Sequence, residues 1–100
     1  MLVEKEIKKL ASDKEYVKVF NYFHYEFTQL LRNFLERNGV ELKEDDCLIN
    51  YILKTRIFMP KYSAYTIPIT VAMYNEKYPE EEKYELLLQS YEMVREVFSR

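Results

Sequence analysis

A chain of 100 residues with 48% hydrophobic and 32% charged side chains, one Gly and three Pro has the make-up of a single helix-rich domain over residues 1–100, which excludes a second domain and a disordered composition. A net charge of −2 excludes a global attraction to nucleic acid or to an anionic membrane, so either role would need a local patch. The single Cys47 excludes an intramolecular disulfide framework, and no stretch reaches the ~20 apolar residues of a membrane span.

The opening MLVEKEIKKL is amphipathic rather than signal-like. With a lone cysteine that fits a reducing compartment, this gives the expectation of a soluble, cytoplasmic protein. From Met1 to Ala11, Val3, Ile7 and Leu10 share one side of a helix, and Glu4, Lys5, Lys8 and Lys9 lie elsewhere. So short a helix holds only if it docks. Ser12 and Glu15 then predict an S-x-x-E capping box that starts the second helix, with Ala11 and Tyr16 as a weak hydrophobic staple.

The chain is organised around Ser12 to Gly39. Tyr16, Phe20, Phe23, Phe27, Leu30 and Phe34 recur at intervals of four, three, four, three and four residues, which is one face of an α-helix. Val17, Leu31 and Leu35 widen that stripe, so this helix is expected at the centre of a bundle. Asn38 and Gly39, the only glycine, suit a left-handed helix end. His24 stands beside the stripe, one turn from Phe20 and Thr28. It reads as a packed or interfacial histidine, since as a general base it would need a nucleophile brought by another helix.

Val40 and Leu42 are expected to plug the core from a polar connection, and Asp45 or Asp46 to cap a third helix. Leu48, Ile49, Ile52, Leu53 and Ile57 carry that helix to Pro60. Cys47, at its first turn, reads as a small buried or half-buried residue; a thiolate there would want a histidine partner. Residues 54–65 read as an irregular loop inside a run that has no acidic residue from Cys47 to Asn75. Lys54, Arg56 and Lys61 with Tyr62 and Tyr65 could contact phosphates and bases there, or a protein partner. The β-branched stretch from Thr66 to Val71 would suit a strand, but Pro68 favours a helix start. A fourth helix from about Ile67 to Lys77 is expected, largely buried through Ile69, Val71, Ala72 and Met73. Tyr78-Pro79-Glu80-Glu81-Glu82 starts the last helix, with carboxylates at the positive end of its dipole. Tyr84, Leu87, Tyr91, Val94 and Phe98 form its stripe and Leu88 widens it.

The prediction is an all-α, compact antiparallel bundle of four to five helices. One Cys and one His cannot furnish a zinc tetrahedron, and Glu81 and Glu85 lack a Glu-x-x-His partner. A single helix-closing glycine rules out phosphate loops and nucleophile elbows. No catalytic residue, cofactor or metal is expected. Ten Tyr, six Phe and no Trp place many amphipathic rings at the core's edge or in an interface. Abundant Lys, Glu, Tyr and Ile lean towards a thermophile.

The order of elements resembles the HEPN superfamily of helical bundles, found with nucleotidyltransferases, in toxin–antitoxin pairs and in RNA-cleaving defence proteins. The resemblance lies in Leu30-Leu-Arg-Asn-Phe-Leu-Glu-Arg-Asn-Gly39, in Asp46-Cys-Leu-Ile-Asn-Tyr-Ile-Leu53, and in Tyr74-Asn-Glu-Lys-Tyr-Pro79, similar to the Arg-Tyr-Pro step of some members. It covers about residues 16–98. Ribonuclease members carry an arginine a few residues before a histidine. Here Lys18 stands six residues before His24, and Arg32, Arg37 and Arg56 have no histidine downstream. The resemblance therefore implies a noncatalytic bundle that pairs with itself or with a partner protein. The expectation is an interaction module, homodimeric or bound to a partner through Tyr-rich faces. The alternative is a small RNA-binding protein using residues 54–65.

Overall fold

The aromatic periodicity of residues 16–37 becomes one long helix on which the other elements pack. In the computed structural model, which describes residues 4–99, the order is α1 (Glu4–Ser12), α2 (Tyr16–Arg37), α3 (Leu48–Phe58), a short 3-10 turn (Pro60–Tyr62), α4 (Ser63–Tyr74) and α5 (Glu80–Phe98). It is an all-α bundle of five helices. α2 packs on α1, α3 and α5, and α4 packs on α3 and α5, so α2 to α5 close a ring around the core. The Cα radius of gyration is 13.4 Å, near the ~13 Å of a globular chain this long.

The buried row of α2 is Val19, Phe23, Phe27, Leu31 and Leu35 with Phe34. Tyr16, Phe20 and Leu30 lie at its half-buried edge. Val17, expected to widen the stripe, is instead 75% exposed, because the stripe follows the i,i+4 row through Val19 and turns residue 17 outward. Ile7 of α1 is buried and Leu10 half-buried, while Val3 lies outside the described residues. Val40 and Leu42 pack on the core as expected. On α5, Leu87, Tyr91, Val94 and Phe98 are buried. Two aromatic clusters fill the space between α2 and α5. In one, Phe23 and Phe27 meet the edge of Tyr91 at 5.8 and 6.0 Å; in the other, Phe34 lies 4.6 Å from Phe98 and 4.9 Å from Tyr62.

The predicted capping box does not form. Ser12 is the last residue of α1, and Glu15 precedes α2 without a side-chain cap bond. This segment ends a helix instead of starting one. Lys14 is left-handed at φ 57°, and the Glu15 and Lys14 N–H groups donate to the Leu10 and Ala11 carbonyls at 2.9 and 3.0 Å. That is a Schellman closure. α2 ends the same way: Gly39 has φ 77°, Val40 N–H donates to Leu35 at 3.0 Å, and Gly39 N–H donates to Glu36 at 3.1 Å. The two closures differ in one residue, so they make a paired test. A Cβ on Gly39 would meet nothing within 4 Å. Gly39→Ala therefore reads the left-handed cost alone, about 1–2 kcal/mol of destabilisation in urea titration. Lys14→Gly is expected to stabilise, by under about 1 kcal/mol, because glycine's freedom in the unfolded chain offsets part of the relief.

The structure also departs from expectation at the helix ends. Cys47, not Asp45 or Asp46, is the residue before α3; it is extended (φ −108°, ψ 176°) and its side chain is exposed rather than buried. Residues 54–65 are not a loop, since α3 continues to Phe58 and α4 begins at Ser63, four residues before Ile67 and ending at Tyr74. Pro68 consequently lies inside α4, where it leaves the Ala64 carbonyl without its helical partner. Pro79 precedes α5 instead of lying in its first turn.

Candidate interaction face on α3 and α4

Asp46 organises the entry to α3. Its carboxylate accepts from Lys54 Nζ at 2.7 Å, from the Lys43 N–H at 2.9 Å and from Asn50 Nδ2 at 3.4 Å. Lys54 is thereby committed to an internal ion pair. The Lys54 ammonium, and then the Lys43 N–H, hold the Asp46 carboxyl below the usual carboxylate range. A carboxyl lowered on folding adds stability above its unfolded value, about pH 4, and loses it as the pH falls further. Asp46→Asn is expected to lower urea stability at neutral pH and to lower it progressively less as the pH falls below about 4. A loss that does not change with pH would mean that the ion pair is not what Asp46 contributes.

Arg56 bridges α3 and α4. Its Nε donates to Thr66 Oγ1 at 3.3 Å and its Nη2 to Thr70 Oγ1 at 3.2 Å. Both hydroxyls donate within their own helix, Thr66 to the Ser63 carbonyl at 2.6 Å and Thr70 to the Thr66 carbonyl at 2.8 Å. Each therefore offers the guanidinium a lone pair. Tyr74 at the end of α4 lies near Cys47 at the start of α3; its hydroxyl pKa is raised by burial first and by that thiol second. With Arg56 against Thr66 and Thr70, this makes α3 and α4 an antiparallel hairpin.

Helical geometry then fixes which residues flank the bridge. On α3, Arg56 lies between the buried side (Leu48, Tyr51, Ile52, Thr55) and the outer row Leu53–Ile57. On α4, Thr70 lies between the buried side (Thr66, Ile69, Ala72) and the outer row Ile67–Val71–Tyr74. Since Arg56 and Thr70 meet, both outer rows turn to the same side of the seam. Leu53, Ile57, Ile67, Val71 and Tyr74 are 47%, 69%, 53%, 38% and 46% exposed. Side chains exposed to that degree leave on the order of 500 Å² uncovered, in the upper part of the ~300–600 Å² range of a monomer's largest apolar patch.

Val71, expected to be buried with Ile69, Ala72 and Met73, is exposed instead, because it lies on the side of α4 opposite its buried row. The signal that could have found these exposed residues is that α3 and α4 each carry apolar residues on more sides than one neighbour can cover, Leu53 and Ile57 beside Leu48 and Ile52, and Ile67 and Val71 beside Ile69 and Ala72. In a ring of four helices each member has a side that faces no neighbour, so an apolar residue there stays exposed.

The other singled-out residues lie away from this face's apolar rows. Lys61 is exposed, its Nζ 6.0 Å from the Tyr62 ring centroid. Tyr62 and Tyr65 are half-buried against Phe98, at 5.9 and 6.1 Å. Lys61, Tyr62 and Tyr65 thus lie together, with the two rings 6.4 Å apart, while Lys54 is held by Asp46 and Arg56 by Thr66 and Thr70. His24 is exposed on α2, and its backbone carbonyl accepts from Thr28 Oγ1 at 2.6 Å. Of the ten tyrosines, Tyr51 and Tyr91 are buried, Tyr25 and Tyr74 exposed and the rest half-buried. Only Tyr74 belongs to the α3–α4 face. Two open grooves lie elsewhere, one between α1, α2 and α5 lined by Lys8, Tyr16, Glu81 and Tyr84, the other along the end of α5. Among the described residues no group of three His, Cys, Asp or Glu could hold a metal ion, and no helix is long and apolar enough to cross a membrane.

Compared with known proteins, the chain matches no family model, no curated protein and no solved structure.

Proposed function

We propose that the chain is a noncatalytic helical interaction module whose working surface is the outer face of the α3–α4 hairpin, and that another protein chain covers it. The observation that carries this reading is the exposure of Leu53, Ile57, Ile67, Val71 and Tyr74 on two helices that Arg56 joins. With a polar rim this face approaches the ~800 Å² that each partner contributes to a standard interface. Burying it stabilises a complex by the same transfer of apolar surface from water that folds the chain. The resemblance to HEPN-type bundles supports the same reading, for a partner or regulator in a toxin–antitoxin, defence or nucleotidyltransferase system.

The test compares two exposed apolar positions on the tagged chain, recovered from the cells that encode it. Ile67→Asp is expected to abolish recovery of a stoichiometric protein, and Val17→Asp, on the outer side of α2, to leave it unchanged. If both variants retain the protein, or if the wild-type chain is a monomer with nothing bound, the reading fails.

A further inference from the structure

We infer that the chain covering the α3–α4 face is a different protein, one that lays a helix between the two apolar rows and places an aspartate or glutamate of that helix on Arg56. The inference rests on the interaction reading of the face and adds the chemistry of the occupant. Arg56 is half-buried at the seam of the patch, and its two recorded bonds go to neutral hydroxyls. A guanidinium has five N–H donors, so most of its capacity is unused. The ion pairs Lys18–Glu15, Arg32–Glu36 and Lys54–Asp46 involve other groups, and among the described residues no carboxylate pairs with Arg56. The surrounding run from Cys47 to Asn75 contains none.

Charge decides between occupants. An apolar surface seated here without an acid would strip water from a guanidinium and leave it unpaired, which costs several kcal/mol. A second copy joined face to face about a two-fold axis brings the same patch. That patch is acid-free and carries its own Arg56. A carboxylate from a different chain instead completes a charge-assisted, two-pronged pair with the Nη1–Nη2 end of the guanidinium, whose Nε–Nη2 edge Thr66 and Thr70 already hold in place. Leu53–Ile57 on one side and Ile67–Val71–Tyr74 on the other are two ridges, and the trough between them suits a helix with apolar residues at i, i+3, i+4 and i+7.

The experiment replaces Ile57 with photoreactive benzoylphenylalanine in the full chain, cross-links it in the cells that encode it, and maps the attached segment by mass spectrometry. The mapped segment is then synthesised and titrated against purified variants. The expected segment belongs to another protein and carries an Asp or Glu within its apolar face. Arg56→Glu should weaken its binding at least ~10-fold, and changing that acid to Lys should restore binding to Arg56→Glu. Arg56→Lys keeps the charge while losing the fork, so it should bind better than Arg56→Gln. A purely structural role for Arg56 predicts equal losses for those two, and circular dichroism checks that each variant is folded. A segment from this chain itself, a segment without an acid, or binding indifferent to Arg56→Glu overturns the inference and leaves the interaction function standing. Attachment to nucleic acid, or no cross-link above that from the same residue placed at position 17, overturns both.

Discussion

Phe98→Ala is expected to destabilise the chain by about 3–5 kcal/mol, a large share of the ~5–15 kcal/mol that holds a domain together. Phe98 is the last residue of α5 and is fully buried. Its ring lies 4.6 Å from Phe34 of α2, 5.9 Å from Tyr62 of the 3-10 turn and 6.1 Å from Tyr65 of α4. One side chain therefore joins three separate elements, and none of them can collapse into the vacated space without leaving its own contacts. The Arg37 guanidinium also donates to the Phe98 carbonyl, tying the end of α2 to the end of α5. Thermal and urea unfolding followed by circular dichroism measure the loss, each kcal/mol being worth about 4–8 °C in a chain of this size. Phe58→Ala is the control of equal chemistry. That ring is 57% exposed, so its removal should change stability by no more than about 0.5 kcal/mol. Similar losses for the two would contradict the assignment of Phe98 to the centre of the second aromatic cluster.

The second large effect falls on association and spares the fold. Ile57 is the most exposed residue of the α3–α4 face, at 69%, and adjoins Arg56, on which the proposed interface is centred. Ile57→Asp puts a carboxylate where the proposed interface must lose its water. Central interface positions cost about 2 kcal/mol or more when disrupted, which corresponds to at least ~30-fold in affinity. The folded monomer loses almost nothing, because the side chain already faces solvent, and its unfolding midpoint should stay within about 0.5 kcal/mol of wild type. Affinity measured with the mapped partner segment, beside a urea titration, separates the two quantities. A loss of stability with unchanged affinity would place Ile57 in the core instead of in an interface.

What the sequence made legible was periodicity. Phe23, Phe27 and Phe34 on α2, and Leu87, Tyr91, Val94 and Phe98 on α5, stand in long amphipathic stretches with one apolar side, and all are buried. Gly39 was legible because a lone glycine after a long stripe has one common use. Ser12 and Glu15 misled because a capping box and the tail of a preceding helix use the same few residues, and the bonds from Lys14 and Glu15 back to α1 depend on where α1 ends. Pro68 misled similarly: its place inside α4 depends on Ser63–Thr66 continuing the helix backward, which β-branching and a proline both argue against locally. The interaction face was the least legible part. In α3 and α4 apolar residues stand both on the buried side and opposite it, so periodicity cannot say which side is covered, and only the ring of α2 to α5 shows that one side of each is left open.

The central claim is that this open side is covered in the cell. The most direct measurement is oxidative footprinting of Tyr74 and Tyr25, which are 46% and 61% exposed and lie respectively on the α3–α4 face and on the outer side of α2. In dilute purified protein both should be modified readily. In the cells that encode the chain, Tyr74 should be protected at least ~10-fold relative to Tyr25 if the face is seated in an interface. Equal modification of the two tyrosines in both settings would contradict the claim.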